Sequence, residues 1–475
     1  MKLFIRSFIL LYLICCGFIG HTPAENKKFG DLEDITARHQ VDILIVHGTI
    51  IPMDCNKSIY PDGYVIITDS VITDIGAYSK SIELVKAKQR IDATGKLVIP
   101  GLINTHTHAA MTLFRGLADD LELNDWLQNQ IWPAEAKFIN PKTVRLGTEL
   151  AIAEMLLSGT TTFHDMYFFE DVVAQTAKEI GIRVIIGEGL LDFPTPNCKT
   201  PEEGLKYAEE LILKWKGDPL VNVAVAPHSP YACSASLLKS ARALADKYGV
   251  MYHIHLAETA KEVNDCRKKH GMTPVEYLED LGILNERTIA AHCVHVTSRD
   301  ISILAEKKVK IAHDPGSNLK LASGIAPIMD MLDKGLCIGL GTDGAASNND
   351  LNMFEEIDLT AKIHKATNLD PTAMDAYSVL RMATIDAANA LGLGHLIGSL
   401  EKGKMADICL IDGKKLHLVP LYNPISQLVY AADGSDVSDV LVNGRIVVRN
   451  GHILTLNKEN LIEKVQLLAD KIRNN

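Results

Sequence analysis

His106-Thr107-His108 sets two imidazoles two residues apart. On extended chain that spacing turns both rings to one side, where they can grip a single cation. The pair alone is a weak signal, because histidines so spaced are common on surfaces. A third nitrogen, from His255, and a carboxylate, from Asp343, close two later β-type runs. Three imidazoles and a carboxylate suit Zn²⁺, one ion per subunit, and Fe²⁺ or Mn²⁺ accept the same donors. A catalytic metal with one open position lowers the pKa of its water to about 7 and makes hydroxide available at neutral pH. Glu258 follows His255 by three residues, near enough to shuttle a proton between such a water and a substrate nitrogen. Away from a metal ligand the same glutamate would read as a loop residue making a helix N-cap contact. His292 ends the following run, either to orient the attacking water or as a hydrogen-bonded core histidine. His253 shares a face with His255 and is expected to line the site.

Such residues need a scaffold that gathers them. Eight β-type runs, at 97–104, 159–165, 183–187, 221–227, 250–256, 288–292, 309–313 and 336–343, alternate with stretches of helical period. Leu205, Ala208, Leu211, Ile212 and Trp215 fall on one helix face, as do Leu237, Leu238, Ala241, Leu244, Ala245 and Tyr248. Eight parallel βα units predict a (β/α)8 TIM barrel, an α/β fold whose C-terminal strand ends form one catalytic face. The runs end in His106 and His108, His164 and Asp165, Glu188, His228, His255, His292, His313 and Asp343. Seventeen histidines scattered at random would not segregate to strand ends in this way, which marks a site.

Short strands with turns flank the middle on both sides, at 41–46, 64–68 and 71–75, with a break at Pro61-Asp62-Gly63, and again at 406–411 and 437–448. The expected division is a barrel over 100–404 and a small composite β-sandwich domain from 25–99 and 405–475. Residues 1–24 carry Lys2 and Arg6 ahead of an apolar run, with small residues near Pro23 and Ala24, and read as a signal peptide for export. A short anchor, or a start codon placed upstream of a cytoplasmic protein, is the other reading. No later run reaches about 18 apolar residues, so no stable membrane span is expected.

Charge and missing motifs narrow the function. The 48 basic against 59 acidic residues give a net charge of −11, the wrong sign for gripping a nucleic-acid polymer. The nine cysteines include no CxxC pair, and none follows a proline, so the zinc deaminase design built on PCxxC is absent. No P-loop, dinucleotide fingerprint or nucleophile elbow stands in a sensible place. No lysine closes the fourth strand to bridge two metals, so one is expected. The oligomeric state is left open, a homo-oligomer included.

Pro100-Gly101-Leu102-Ile103-Asn104-Thr105-His106-Thr107-His108, with Met111-Thr112-Leu113 and Arg115-Gly116, resembles the opening of the amidohydrolase superfamily. The stretches His253 to Thr259, Ser317-Asn318-Leu319-Lys320-Leu321 and Gly341 to Asn348 resemble it in the same order. The match is close to the 5-methylthioadenosine/S-adenosylhomocysteine deaminase branch and covers the chain after the leader. The resemblance implies metal ligands at His106, His108, His255 and Asp343. It implies that the Glu135 carboxylate accepts hydrogen bonds from both ribose hydroxyls, and that His228 contacts the nucleoside. Glu188 stands where relatives that hold the S-adenosylhomocysteine carboxylate place an arginine, so repulsion is expected to favour 5'-methylthioadenosine or adenosine. The implied reaction is hydrolytic deamination to the inosine analogue plus ammonia, with metal-bound hydroxide as nucleophile and catalytic roles for Glu258, His292 and Asp343, of which Glu258 and Asp343 also contact the substrate. Rival readings are an amidohydrolase acting on a guanine-like base or an s-triazine, and a barrel without catalysis.

Overall fold

The computed structural model describes residues 40–473. The leader, and the start of the first β flank, lie outside the described residues. The described chain opens on β1 (Val41–Ile50), β2 (Tyr60–Thr68), β3 (Val71–Ala77), β4 (Ala87–Asp92) and β5 (Lys96–Pro100). Strand β2 runs through Pro61-Asp62-Gly63, where a break was expected. Gly63 pairs with Gly48 across register shifts in β1. A Cβ at Gly48 would lie 2.6 Å from Val98, and one at Gly63 2.7 Å from Ile50, so the strand continues only because both positions lack a side chain.

The expected run 97–104 is cut at Gly101. Its first part, β5, stays in the flanking sheet, and β6 (Leu102–Thr107) opens the barrel. A Cβ at Gly101 would meet Thr161 Oγ1 at 2.1 Å, so only glycine lets the chain cross here. The barrel continues through β7 (Thr160–Asp165), β8 (Arg183–Ile186), a short β9 (Gly189–Leu190), β10 (Val221–Pro227), β11 (Met251–Leu256), β12 (Thr288–His292), β13 (Lys310–His313) and β14 (Cys337–Leu340). Omitting β9, which lies beside β10, they pair in parallel in chain order from β6 to β14. Strand β14 returns to β6 through Thr105 Oγ1 to the Leu340 carbonyl (2.9 Å) and Asp343 N–H to the His106 carbonyl (3.0 Å).

The predicted helix faces pack inward: Ala208, Leu211, Ile212 and Trp215 are buried on one helix, Leu237, Leu238, Ala241 and Ala245 on the next. Thr200 and Ser234 cap these helices by accepting the N–H of Glu203 and Leu237, a contact worth about 1 kcal/mol each. No helix among the described residues is long and apolar enough to cross a membrane.

After the barrel come β15 (Ile408–Asp412), β16 (Val437–Val442), β17 (Arg445–Arg449) and β18 (His452–Ile453). The expected strand over 437–448 is a hairpin, because Asn443 and Gly444 both take positive φ (50° and 72°), as a tight Asn-Gly turn requires. Strand β15 pairs antiparallel with β5, so both flanks make one nine-stranded sheet. Its halves share one apolar cluster, including Ile45, Val65 and Ile67 from the first flank and Leu410 and Leu441 from the second. In place of the expected two-layered sandwich, the flanks form a single sheet whose halves share this cluster. Buried Arg183 at the start of β8 binds the Asp407 carboxylate with two hydrogen bonds (2.9 and 3.2 Å), tying barrel to sheet.

Candidate metal centre

The pleat of β6 points His106 and His108 into the barrel mouth and turns Thr107 away, where its hydroxyl donates to the Asp343 carbonyl (2.9 Å). The Nδ1 atom of each candidate histidine is held by protein. His255 Nδ1 meets the His228 carbonyl (2.7 Å), His108 Nδ1 the Met166 carbonyl, and His106 Nδ1 the His253 Nε2 (3.0 Å). Each Nδ1–H donated this way leaves Nε2 with a free lone pair, the tautomer a metal ligand needs. The ligand atoms of the three histidines lie within 4.8 Å of one another. His255 Nε2 is 3.3 Å from His108 Nε2, and Asp343 Oδ1 is 3.2 Å from His108 Nε2 and 3.4 Å from His106 Nε2. Donors held at about 2.0–2.1 Å around a tetrahedral ion stand about 3.3 Å apart, so these spacings fit one cation.

One further observation favours that fit. His106 Nε2 is fully buried and has no hydrogen-bond partner. On His108, burial opposes a charge, yet the Asp343 carboxylate and the Met166 carbonyl push its pKa up to about 9. Asp343 Oδ2 accepts from Ser317 Oγ (2.6 Å) and Ser347 Oγ (2.8 Å), and Oδ1 from the Gly344 N–H (2.8 Å). His106, His292 and Asp314 also bring donor atoms together, but His292 Nδ1 is 3.0 Å from Asn318 Oδ1, and Asp314 accepts the His292 N–H. In that second set His292 Nδ1 is thus taken up by Asn318, while Asp314 Oδ1 is buried without a hydrogen-bond partner.

Glu258 and His292 stand beside the donors. Glu258 is buried, which raises its pKa; Oε1 accepts from Ser323 Oγ (3.3 Å), and Oε2 lies 3.8 Å from His292 Nε2. Ala257, His292 and Asp343 all take positive φ (53°, 72° and 59°), strain of about 1–3 kcal/mol each that surrounding contacts must hold. Above the donors opens a cavity lined by His108, His255, Asp343, Glu258, His292, His228 and Glu135, with apolar walls that include Trp126, Trp132 and Phe168. Of the site residues expected from the sequence, His108, Glu135, His228, His255, Glu258, His292 and Asp343 line this cavity, and His106, His253 and Glu188 do not. Burial lowers the His228 pKa to about 3, so it presents a neutral ring. Burial pushes Glu135 up to about 7, and its Oε1 accepts from Tyr167 Oη (2.7 Å).

Two expectations change. His253 does not line the cavity; it backs His106 and stacks on His164 with ring centres 4.0 Å apart. Glu188 is turned away as well, its Oε2 accepting the Glu170 N–H (3.2 Å) in a buried acidic group with Asp165 and Glu170. The cavity wall there is Gly189 and Leu191, so no Glu188 carboxylate repels a substrate. Sequence reading also missed Tyr167, Ser317, Ser323 and Ser347. Ser317 and Ser347 lie inside the motifs quoted above, but their duty is to steer Asp343, which spacing alone does not reveal.

A parallel barrel with such a donor set at its C-terminal mouth defines a metal-dependent hydrolase of the TIM-barrel type. Residues 97–447 match the Amidohydrolase family, and the chain belongs to it. A 5-methylthioadenosine/S-adenosylhomocysteine deaminase of Syntrophobacter fumaroxidans is 48% identical over 434 residues, 91% of this chain and 99% of that protein. A 5'-deoxyadenosine deaminase of Methanothermobacter thermautotrophicus is 45% identical over 412 residues, 86% of this chain and 95% of that protein. Among solved structures, an adenosine deaminase from Xanthomonas campestris with bound zinc is similar at a TM-score of 0.90 and 39% identity, covering 92% of this chain and 99% of that one.

Proposed function

We propose that this chain is a metal-dependent aminohydrolase that deaminates adenosine-type nucleosides, releasing ammonia and the inosine analogue. The observation that carries the reading is one cavity with a cation-fitting donor set at its floor, the buried Glu258 beside it and the buried Glu135 on its wall. The deaminase relatives support the substrate class.

His106, His108, His255 and Asp343 would hold one divalent cation per subunit, zinc being the first choice because the Xanthomonas neighbour carries it. When bound, such a cation lowers the pKa of a water in its open position to about 7. Glu258 takes one proton from the attacking water and delivers it to the ring nitrogen beside C6, so no negative charge builds up as aromaticity is lost. His292, its Nδ1 fixed against Asn318, aims Nε2 at the attacking oxygen. Asp343 receives the second proton and returns it to the amino group, which leaves as ammonia. His228 packs against the nucleoside as a neutral ring.

Ammonia release from adenosine, 2'-deoxyadenosine, 5'-methylthioadenosine and S-adenosylhomocysteine, with free adenine and guanine as controls, tests the reading. Turnover of nucleosides but not bases is expected; faster release from a free base would move the chain to the other heterocycle hydrolases. Neutral 5' substituents should still be preferred, but for a new reason: among the described residues, none that lines the cavity is a lysine or arginine that could hold an amino-acid carboxylate. The kcat/KM for 5'-methylthioadenosine is expected to exceed that for S-adenosylhomocysteine by about tenfold or more, the value of one lost charge-assisted contact. Equal values within threefold would refute this.

Glu135→Ala is expected to lower kcat/KM for adenosine by about 100-fold or more, since bonds from two ribose hydroxyls to a buried carboxylate are worth about 1.5–3 kcal/mol each. The same change should cost 2'-deoxyadenosine less, so wild-type discrimination between the two substrates shrinks. Unchanged discrimination would remove Glu135 from ribose binding.

A further inference from the structure

We propose that Glu262 is a positioning residue that aims Glu258, an inference that rests on the role of Glu258 proposed above. Glu262 Oε1 accepts the Ala257 N–H (2.9 Å) and Oε2 the Glu258 N–H (2.8 Å), so one carboxylate clamps two successive amides where β11 leaves the barrel. Between those amides lies Ala257 with φ +53°, a left-handed conformation that an alanine does not keep unaided. The His295 N–H donates to the Ala257 carbonyl (2.8 Å), fixing the turn from its other side.

Glu262 is itself oriented. Thr259 caps the helix Ala260–His270 and accepts the Glu262 N–H (3.1 Å). In an ordinary capping box the acid three residues after the cap reaches back to the N–H of the cap residue. Here the side chain bypasses Thr259 and reaches one and two residues further, to Glu258 and Ala257. Helix capping therefore does not account for the contact, and holding the Glu258 turn does. With its amide fixed, the Glu258 carboxylate is left facing Ser323 Oγ at 3.3 Å and His292 Nε2 at 3.8 Å. Freed from the clamp, the Ala257-Glu258 peptide can rotate out of its left-handed turn, and a shift of about 1 Å in a reacting group costs about 100-fold in rate.

The test compares Glu262→Ala and Glu262→Gln with wild-type enzyme and with Glu258→Gln, measuring kcat, KM, bound metal, melting temperature and affinity for the inosine product. Expected is a fall in kcat of about 100-fold for Glu262→Ala and a smaller fall for Glu262→Gln, which keeps one acceptor of the same reach. KM, product affinity and metal content should stay within about threefold of wild type, as expected when only the reacting group is displaced. If Glu262→Ala does not fold, the Glu262→Gln variant is read by the same measures. A kcat within threefold of wild type in the variant read, or a loss matched by loss of metal or of product affinity, overturns the proposal. If the Glu262 variants keep their rate while Glu258→Gln is inactive, the positioning role alone fails. If Glu258→Gln keeps its rate, the shuttle reading fails and takes this inference with it.

Discussion

Glu258→Gln is expected to lower kcat by about 1,000-fold or more, with KM and bound metal little changed. Glutamine has the size and reach of glutamate and can still accept from Ser323, so the cavity keeps its shape. What it loses is the ability to take a proton from water and give it to a ring nitrogen, and general acid–base catalysis by one group contributes about 100- to 10,000-fold. The upper part of that range applies because the same carboxyl serves both transfers in this mechanism. Burial raises the Glu258 pKa above the ordinary carboxylate value, which brings it nearer to the acidity of the groups it exchanges protons with. Single-turnover ammonia release with metal analysis on the same sample decides the matter; a variant within tenfold of wild type would take Glu258 out of the chemistry.

The donors of this site were legible in the sequence because strand geometry is local. A two-residue spacing on extended chain shares a face whatever the rest of the fold does, and a polar residue ending an apolar run marks a strand end; those two rules place His106, His108, His255 and Asp343 at the barrel mouth, together with His164, Asp165 and Glu188, which they do not tell apart from the donors. Contacts between distant segments were not legible. Tyr167 meets Glu135 across 32 residues, and Ser323 meets Glu258 across 65, and no periodicity links either pair. The same limit explains the errors. His253 and His255 share a face of β11, but His253, one pleat deeper, falls behind His106 instead of beside the cavity. Glu188 follows β8 as a strand-end residue should, yet the short β9 begins one residue later and turns its side chain toward Glu170. The break at Gly101 was hidden because apolar residues continue on both sides of it, and only the crowding by Thr161 shows why the chain changes sheets there.

Removing the metal is expected to abolish turnover, by about 1,000-fold or more, while leaving the protein folded. The donors do not depend on a cation for their placement. The Nδ1 atoms of His106, His108 and His255 are anchored by His253, Met166 and His228, and Asp343 is gripped by two serine hydroxyls and an amide. A preformed site of this kind should empty without collapsing, unlike a small zinc domain whose folding is its metal binding. The expected cost to stability is the binding free energy at working concentration, about 4 kcal/mol when free metal stands at 1,000 times its Kd. Chelator-treated protein should therefore keep its circular dichroism, melt at a lower temperature, and recover activity on addition of one equivalent of Zn²⁺ per chain. Asp343→Asn should bind the ion more weakly and stay inactive even when loaded, because the amide cannot take the second proton. Two results would break the argument: activity that survives in rigorously metal-free protein, or recovery that needs two equivalents, since these four donors fit a single ion.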